Sequence, residues 1–181
     1  MVYVALLRGI NVGGNNKVEM KRLKEVFEKA GHLNVSTYIN SGNVIFESSE
    51  KDIENLVQVL EKAIEKEFSF NIKVLVKSLD DIKAIAKELP DSWKNDLEVK
   101  TDVMFLWNEI DSKKILDELI IKPGIDEVKY VKGALLWCVK RKVVTRSGLM
   151  RLAGTNLYKQ MTIRNSNTFR KLHTLMSAIN N

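Results

Sequence analysis

The first part of the chain alternates between short apolar runs, which predict strands, and apolar residues at helical spacing, which predict helices. The predicted strands lie at residues 2–7, 35–39, 44–46 and 72–76. A helical stripe at residues 20–30 separates the first two strands, and a longer stripe at residues 53–68, with Ser49 as its predicted N-cap, separates the last two. The order is β-α-β-β-α-β, which is typical of a ferredoxin-like plait.

The second part repeats much of this order after a junction. The junction contains a short helix that starts after Ser78 and stops at Pro90, followed by a polar segment that ends at Lys100. The elements that follow are a strand at residues 102–107, a helix around residues 115–119, and a hairpin of residues 127–131 and 134–140. The chain then ends with a basic, glycine-punctuated stretch and a last helix, in place of a clear fourth strand.

A length of 181 residues permits two small domains of this kind. The sequence therefore predicts an α+β fold of two tandem ferredoxin-like subdomains with extra C-terminal helices. The predicted boundaries are residues 1–78 for the first subdomain, residues 79–100 for the helix and junction, and residues 101–181 for the second α/β subdomain with its basic C-terminal helices.

Basic residues concentrate toward the C-terminus. The whole chain has a net charge of +6, but residues 122–181 contain twelve basic and only two acidic residues. This imbalance favours an anionic partner such as nucleic acid, a nucleotide or a phosphorylated metabolite, although a solvated lysine-rich surface gives the same pattern. The single cysteine, Cys138, and the lack of a long apolar segment predict a cytoplasmic protein with no disulfide and no membrane span.

A glycine- and asparagine-rich connection follows the first predicted strand. Its candidate ligand-binding residues are Arg8, Gly9, Asn11, Gly13, Gly14 and Lys17. Glycines permit a positive φ and let backbone N–H groups approach an anion, and the two cations add charge. The segment lacks the Gly-Lys-Ser/Thr ending of a P-loop and the glycine spacing of a dinucleotide fingerprint. It therefore indicates either an anion-binding loop or a plain flexible connection.

A second polar cluster, Asn40, Ser41 and Asn43, lies in the predicted hairpin turn. These residue types suit a tight turn, so turn formation alone explains them. In a split β-α-β unit, however, the first and second strands run in the same direction and end at one edge of the sheet. We therefore expect the two connections to lie close together and to form a shared polar pocket.

A third polar cluster, with Arg164 and Asn165, opens the last predicted helix. These residues are either ordinary helix caps or an anion site at a helix start, and nothing in the sequence places them beside the other two clusters. No cofactor or metal site is predicted, because His32, His173 and Cys138 have no metal-ligand spacing. We expect His32 in a polar turn and Cys138 buried in a strand.

The three polar clusters also carry a family resemblance. The segments LLRGINVGG at residues 6–14, TYINSGNV at residues 37–44 and MTIRN at residues 161–165 resemble the hallmarks of a bacterial domain-of-unknown-function family, number sixteen ninety-seven. The resemblance implies tandem ferredoxin-like subdomains, and it implies no activity or catalytic residue. The chain departs from the family pattern at Ser166, where tryptophan is expected, and at Phe169, where a smaller aliphatic residue is expected.

Three classes of function fit these observations. The first is a cytoplasmic protein that binds an anionic, phosphate-bearing ligand, a nucleotide or nucleic acid through the three polar clusters. The second is a small enzyme that acts on a polar metabolite in the same pocket, although no catalytic base is identifiable. The third is a protein-interaction module that uses the basic end of the chain.

Overall fold

The computed structural model of the protein describes residues 1–13 and 16–179. The chain divides into two compact units, one made of Met1–Ile82 with Leu172–Asn181 and the other of Lys83–Lys171. Each unit contains one four-stranded antiparallel sheet, so the protein has a mixed α+β architecture. None of the described helices is long and apolar enough to cross a membrane.

The first unit contains the elements of the predicted β-α-β-β-α-β order. In chain order they are strand β1 (Val2–Leu7), helix α1 (Met20–Lys29), strands β2 (Leu33–Tyr38) and β3 (Asn43–Glu47), helix α2 (Ile53–Phe68), strand β4 (Val74–Ser78) and helix α3 (Leu79–Glu88), whose last residues belong to the second unit. The strands lie in the order β2-β3-β1-β4. Because β3 lies between β1 and β2 and is antiparallel to both, β1 and β2 end at the same edge of the sheet.

The core of the first unit lies between one face of this sheet and the helices α1 and α2. Tyr3, Ala5 and Leu7 alternate along β1 and share one apolar cluster with Phe27 of α1 and Leu60 of α2. Burial of each large apolar side chain stabilises the fold by about 1.5–3 kcal/mol. The helical stripes read from the sequence are therefore the faces that α1 and α2 bury.

The N-cap of helix α2 lies three residues after the predicted cap. Asp52, not Ser49, is the N-cap, and its Oδ1 accepts hydrogen bonds from the backbone N–H groups of Glu54 (2.9 Å) and Asn55 (3.2 Å). The carboxylate of Glu50 accepts from the N–H groups of Lys51 and Asp52 and forms a turn ahead of the helix. This turn uses the N–H groups that a cap at Ser49 would need, so the prediction was wrong by one turn.

The second unit has the same strand arrangement with shorter helices. Its elements are strand β5 (Val99–Leu106), 3-10 turns at Asn108–Ile110 and Lys113–Glu118, strands β6 (Asp126–Val131) and β7 (Ala134–Lys140), a 3-10 turn at Arg141–Arg146, helices α4 (Leu149–Leu152) and α5 (Asn156–Lys159), strand β8 (Met161–Asn165) and helix α6 (Ser166–Ile179), which ends in the first unit. The order β6-β7-β5-β8 repeats that of the first sheet, and all neighbours are antiparallel.

Strand β8 corrects the expectation that the second half lacks a clear fourth strand. It pairs with β5, with Asp102 opposite Asn165 and Phe105 opposite Thr162. The strand was not predicted because its residues are polar, although Thr162 and Arg164 are both buried.

The helix predicted around residues 115–119 is a 3-10 turn instead, in which the N–H of Leu119 donates to the carbonyl of Leu116.

His32 is buried, whereas a polar turn was expected. Its ring lies 4.7 Å from the ring of Phe46 and 6.2 Å from that of Phe27, measured between centroids. Within the described chain its Nε2 atom has no hydrogen-bond partner. Desolvation lowers the pKa of His32 below its ordinary value of 6.5, so the folded protein holds this ring neutral.

This burial predicts a loss of stability in mild acid. As the pH falls through 6.5, the unfolded chain takes up a proton at His32 before the folded chain does, so the free energy of unfolding decreases toward the folded pKa. We expect His32→Phe to flatten this dependence between about pH 7.5 and pH 5.5, measured by urea unfolding. An unchanged slope in His32→Phe would contradict the assignment.

Candidate functional site

The connection between β1 and α1 contacts the turn between β2 and β3, as their shared sheet edge requires. The side-chain Nδ2 of Asn11 donates to the carbonyl of Asn40 at 2.9 Å and to that of Val18 at 2.9 Å. The Oδ1 of the same side chain accepts from the N–H of Val18 at 2.8 Å. The predicted closeness of the first two polar clusters is therefore confirmed, and one asparagine side chain joins them.

Gly42 sets how closely the two connections approach. Its carbonyl accepts from the N–H of Leu7 at 2.8 Å, and its φ is +77°. A Cβ at this position would lie 2.7 Å from Cδ1 of Ile10 and 2.8 Å from Cβ of Leu7, which is closer than carbon atoms pack. Glycine is therefore required here both by backbone conformation and by the apolar contact beneath the turn.

The turn residues mostly stabilise the turn itself. Asn43 is fully buried, and its Nδ2 donates to the carbonyl of Tyr38 at 2.9 Å and to Oγ of Ser41 at 3.0 Å. Ile39 adopts a left-handed φ of 49° although it is β-branched, and its side chain is 49% exposed. Such a conformation costs roughly 1–2 kcal/mol, so the surrounding bonds must hold it in place.

Left-handed residues also shape the connection after β1. Gly9, Asn11, Gly13 and Asn16 all have positive φ values, between 48° and 69°. The N–H of Asn11 donates to the carbonyl of Asn16 at 3.1 Å, and Nδ2 of Asn16 donates to the carbonyl of Gly9 at 3.1 Å. These two bonds hold Asn16 against Gly9 and Asn11. Gly14, which was also predicted to bind ligand, lies outside the described residues.

Three basic residues belong to the connections at this edge. Arg8 follows β1 and is half-buried, Lys17 precedes the buried Val18 and is exposed, and Lys73 precedes β4 and is exposed. The N–H of Arg8 donates to the carbonyl of Lys73 at 3.0 Å, which joins the end of β1 to the start of β4. We call residues 8–13, 16–18, 39–43 and 73 the loop edge. Lys73 was missed because only the pairing of β4 with β1 brings it there.

The third polar cluster belongs to the second unit. Arg164 lies in β8 and is 7% exposed, and its Nη1 donates to Oγ1 of Thr162 at 3.1 Å and to the carbonyl of Ile163 at 2.8 Å. Burial lowers the pKa of Arg164 to about 10, so the guanidinium stays charged at neutral pH. Asn165 accepts from the N–H of Thr168 at 2.9 Å and so caps α6. Ligand binding by these two residues stays a prediction.

The two positions that depart from the family pattern are both buried. Ser166 is fully buried, and its hydroxyl has no hydrogen-bond partner among the described residues. Phe169 is also fully buried, and its ring centroid lies 6.1 Å from that of Phe105. A smaller polar residue and a larger aromatic residue therefore occupy positions within the packed interior, three residues apart on α6.

The second unit also carries most of the positive charge. Residues 83–171 contain eighteen basic and eleven acidic residues. Part of this charge is used internally, since Lys129 pairs with Glu88 at 2.5 Å and Arg170 with Asp91 at 3.5 Å. Lys140, Lys142 and Arg146 are exposed around the 3-10 turn after β7. Among the residues that the structure describes, no group of three or more His, Cys, Asp or Glu could hold a metal ion.

A two-unit α+β protein of this kind matches an existing family. The family model described as "Protein of unknown function (DUF1697)" matches residues 1–137, so the chain belongs to that family. The predicted resemblance is thereby confirmed. The chain is also similar to the solved structure of the conserved bacterial protein SP0830 from Streptococcus pneumoniae, at 30% identity and a TM-score of 0.83, over 97% of this chain and 98% of that one. No curated protein matches the chain.

The contacts of Asn11 predict that this side chain stabilises the fold. Asn11→Gly retains a backbone that tolerates its φ of 55° but removes the bonds to Val18 and Asn40. We expect a loss of about 1–3 kcal/mol in the free energy of unfolding, measured with urea. Asn16→Gly is the matched control, because its φ is 48° and its side chain makes one bond of 3.1 Å. Equal losses in the two variants would contradict the proposed role.

Proposed function

We propose that the protein binds a small phosphate-bearing molecule at the loop edge of its first unit. The observation that carries this proposal is the contact between Asn11 and Asn40, which joins two glycine- and asparagine-rich connections at one end of the sheet. The same edge includes the cations Arg8, Lys17 and Lys73. Phosphate oxygens accept charge-assisted hydrogen bonds from such groups, and these are about twice as strong as neutral ones.

The hydrogen bonds separate supporting residues from candidate contacts. Asn11 and Asn43 already bond within the loop edge, so we assign them to positioning its backbone. Arg8, Lys17 and Lys73 are the candidate side-chain contacts because each carries a positive charge. Gly9 and Gly13 have positive φ, and among the described residues a Cβ at either would meet nothing within 4 Å, which supports approach of a ligand to the backbone there.

The strand arrangement supports a finer description of the fold. We propose that each unit is a ferredoxin-like plait, because both sheets have the order in which the first and last strands of the unit are neighbours and the third lies between the first and second. The domain boundaries at residues 1–78, 79–100 and 101–181 and the cytoplasmic location, which the single cysteine suggests, remain part of this proposal.

Phosphate-bearing probes test the loop edge directly. We expect inorganic pyrophosphate or ATP to raise the melting temperature of the wild-type protein, because a ligand that binds only the folded state stabilises it. A probe at 100 times its dissociation constant adds about 2.7 kcal/mol. Lys17→Ala and Arg8→Ala should each lower the affinity about tenfold or more, since each removes a charge-assisted contact. Differential scanning fluorimetry followed by calorimetric titration measures both effects.

A matched lysine outside the site controls for net charge. Lys62 is exposed on α2, so Lys62→Ala removes one positive charge from the same unit and should leave the affinity unchanged. Equal losses in Lys17→Ala and Lys62→Ala would mean that the probe responds only to overall charge. If no phosphate-bearing probe shifts the melting temperature, the proposed site is wrong. Turnover of a bound probe would instead favour the enzyme alternative.

A second candidate function, nucleic-acid binding, is favoured by the exposed cations of the second unit. Lys140, Lys142 and Arg146 lie within seven consecutive residues, and Lys140 and Lys142 line one open surface depression with Leu97. A nucleic-acid strand carries one phosphate for each nucleotide, so a row of neighbouring basic side chains can contact successive phosphates. Binding of this kind depends on counterion release and therefore weakens steeply as salt rises.

Salt dependence distinguishes this second function. We expect the affinity for single-stranded poly(U), measured by fluorescence anisotropy, to fall with salt with a log–log slope of about −0.7 for each phosphate contact. Lys142→Gln should make this slope shallower by about the same amount. Lys62→Gln, in the first unit, should retain the wild-type slope. Flat salt dependence, or a failure to bind poly(U) at low salt, would exclude nucleic-acid binding and leave the loop-edge proposal untouched.

A further inference from the structure

The second unit contains a cavity of about 100 Å³ that is separate from the loop edge. Its floor is apolar and includes Leu119, Trp137, Leu152 and Leu157, of which Trp137 is only 1% exposed. Glu118 and Arg151 also line the cavity, and both residues are exposed. The cavity is therefore lined both by apolar side chains and by two exposed residues of opposite charge.

A buried carboxylate holds the walls of this cavity. Oδ1 of Asp126 accepts hydrogen bonds from Nε1 of Trp137 at 3.1 Å and from Oγ of Ser147, and Oδ2 accepts from the N–H groups of Lys122 at 2.8 Å and Gly148 at 2.9 Å. Desolvation alone would raise the pKa of Asp126, but these four donors outweigh it and the pKa lies below its ordinary value. One ionised side chain thus joins the floor, the segment before β6 and the start of α4.

Gly148 fixes the spacing of two of these walls. A Cβ at Gly148 would lie 1.5 Å from the carbonyl oxygen of Ile120 and 3.3 Å from Oδ2 of Asp126. Only glycine permits this approach, so α4 and the chain after the 3-10 turn at Lys113–Glu118 are held in direct backbone contact beside the cavity. The backbone on this side of the cavity is therefore fixed by a direct contact.

The polar groups around the cavity select the chemistry of a ligand. The hydroxyl of Thr155 is already used, since it donates to the carbonyl of Leu152 at 2.7 Å and accepts from the N–H of Tyr158 at 3.1 Å. Within the described residues, Glu118 and Arg151 form no ion pair with another protein group. A carboxylate can therefore meet Arg151 while an ammonium group meets Glu118, with charge-assisted bonds to each.

The volume limits the apolar part of the ligand. A cavity of about 150 Å³ in another protein accommodates benzene, so the smaller cavity here suits a branched aliphatic group and excludes a large aromatic one. Apolar burial against Trp137 and the leucines contributes about 0.8 kcal/mol for each methylene group removed from water. A molecule meets all of these requirements if it has a small branched aliphatic group and carries an ammonium and a carboxylate group on the same carbon atom.

We propose that this cavity binds a small branched aliphatic amino acid as its zwitterion, with the carboxylate on Arg151, the ammonium on Glu118 and the side chain on the Trp137 floor. This inference does not rest on the proposed function, because it concerns a different unit and a different ligand class. The site is suited to sensing or carrying such an amino acid, since Glu118 and Thr155 are the lining residues with acid–base or nucleophilic groups in the described cavity, and the hydroxyl of Thr155 is bonded to the backbone.

Binding of L-leucine to the full-length protein tests the proposal. Saturation-transfer NMR and calorimetric titration should show saturable binding with a dissociation constant on the order of millimolar, as expected for so small a ligand. 4-Methylpentanoate, which lacks the ammonium group, and isopentylamine, which lacks the carboxylate, should each bind about ten- to hundredfold more weakly. Glycine, which lacks the aliphatic group, should not bind detectably.

Two surface variants assign the charges. Glu118→Gln should weaken L-leucine about tenfold or more and leave 4-methylpentanoate unaffected, whereas Arg151→Gln should weaken both. Both side chains are exposed, so the variants should fold, and Glu109→Gln and Lys132→Gln are the controls for lost charge elsewhere in the same unit. The proposal is overturned if L-leucine shows no saturable binding up to about 50 mM, a concentration well above the expected millimolar dissociation constant. It is equally overturned if both cavity variants bind L-leucine as tightly as the wild type.

Discussion

The insertion of β3 between β1 and β2 is the constraint on which the candidate site depends. Antiparallel pairing of β3 with both neighbours makes β1 and β2 run in the same direction, so their following connections leave the sheet side by side. Asn11 and Gly42 then complete the arrangement, one through hydrogen bonds and the other through the absence of a Cβ. The loop edge is therefore a consequence of strand order, and its polar residues serve folding before they serve any ligand.

Buried polar groups in the two units show different ways of meeting the cost of desolvation. Asp126 remains ionised because four donors surround it, and Arg164 remains charged because its ordinary pKa is high enough to tolerate the lowering that burial causes. His32 has no such compensation at Nε2 and becomes neutral instead. The ionised Asp126 can therefore support the structure beside the cavity, whereas the neutral His32 makes the free energy of unfolding depend on pH.

The chain belongs to a family without a known activity, so its function has to be argued from its sites, because one fold supports many chemistries. The loop edge and the cavity of the second unit differ in character. The first is an exposed rim with several cations and much left-handed backbone. The second is a small apolar recess with one group of each charge. The two proposed sites therefore differ in the class of ligand that each would take.

Apolar periodicity predicted the strands and helices with strong patterns and their order, and that order predicted that the first two polar clusters lie close together. Periodic apolar residues report which face is buried, and strand order then restricts where connections emerge. The sequence pattern missed β8, because Thr162 and Arg164 have the character of surface residues, and it did not predict the burial of His32 after its turn. Three features follow from the folded arrangement alone. The side chains of Asn11 and Asn43 bond within the loop edge, Lys73 lies at the loop edge, and Asp126 supports a cavity. Each of these depends on contacts between residues far apart in the chain, which local pattern does not encode.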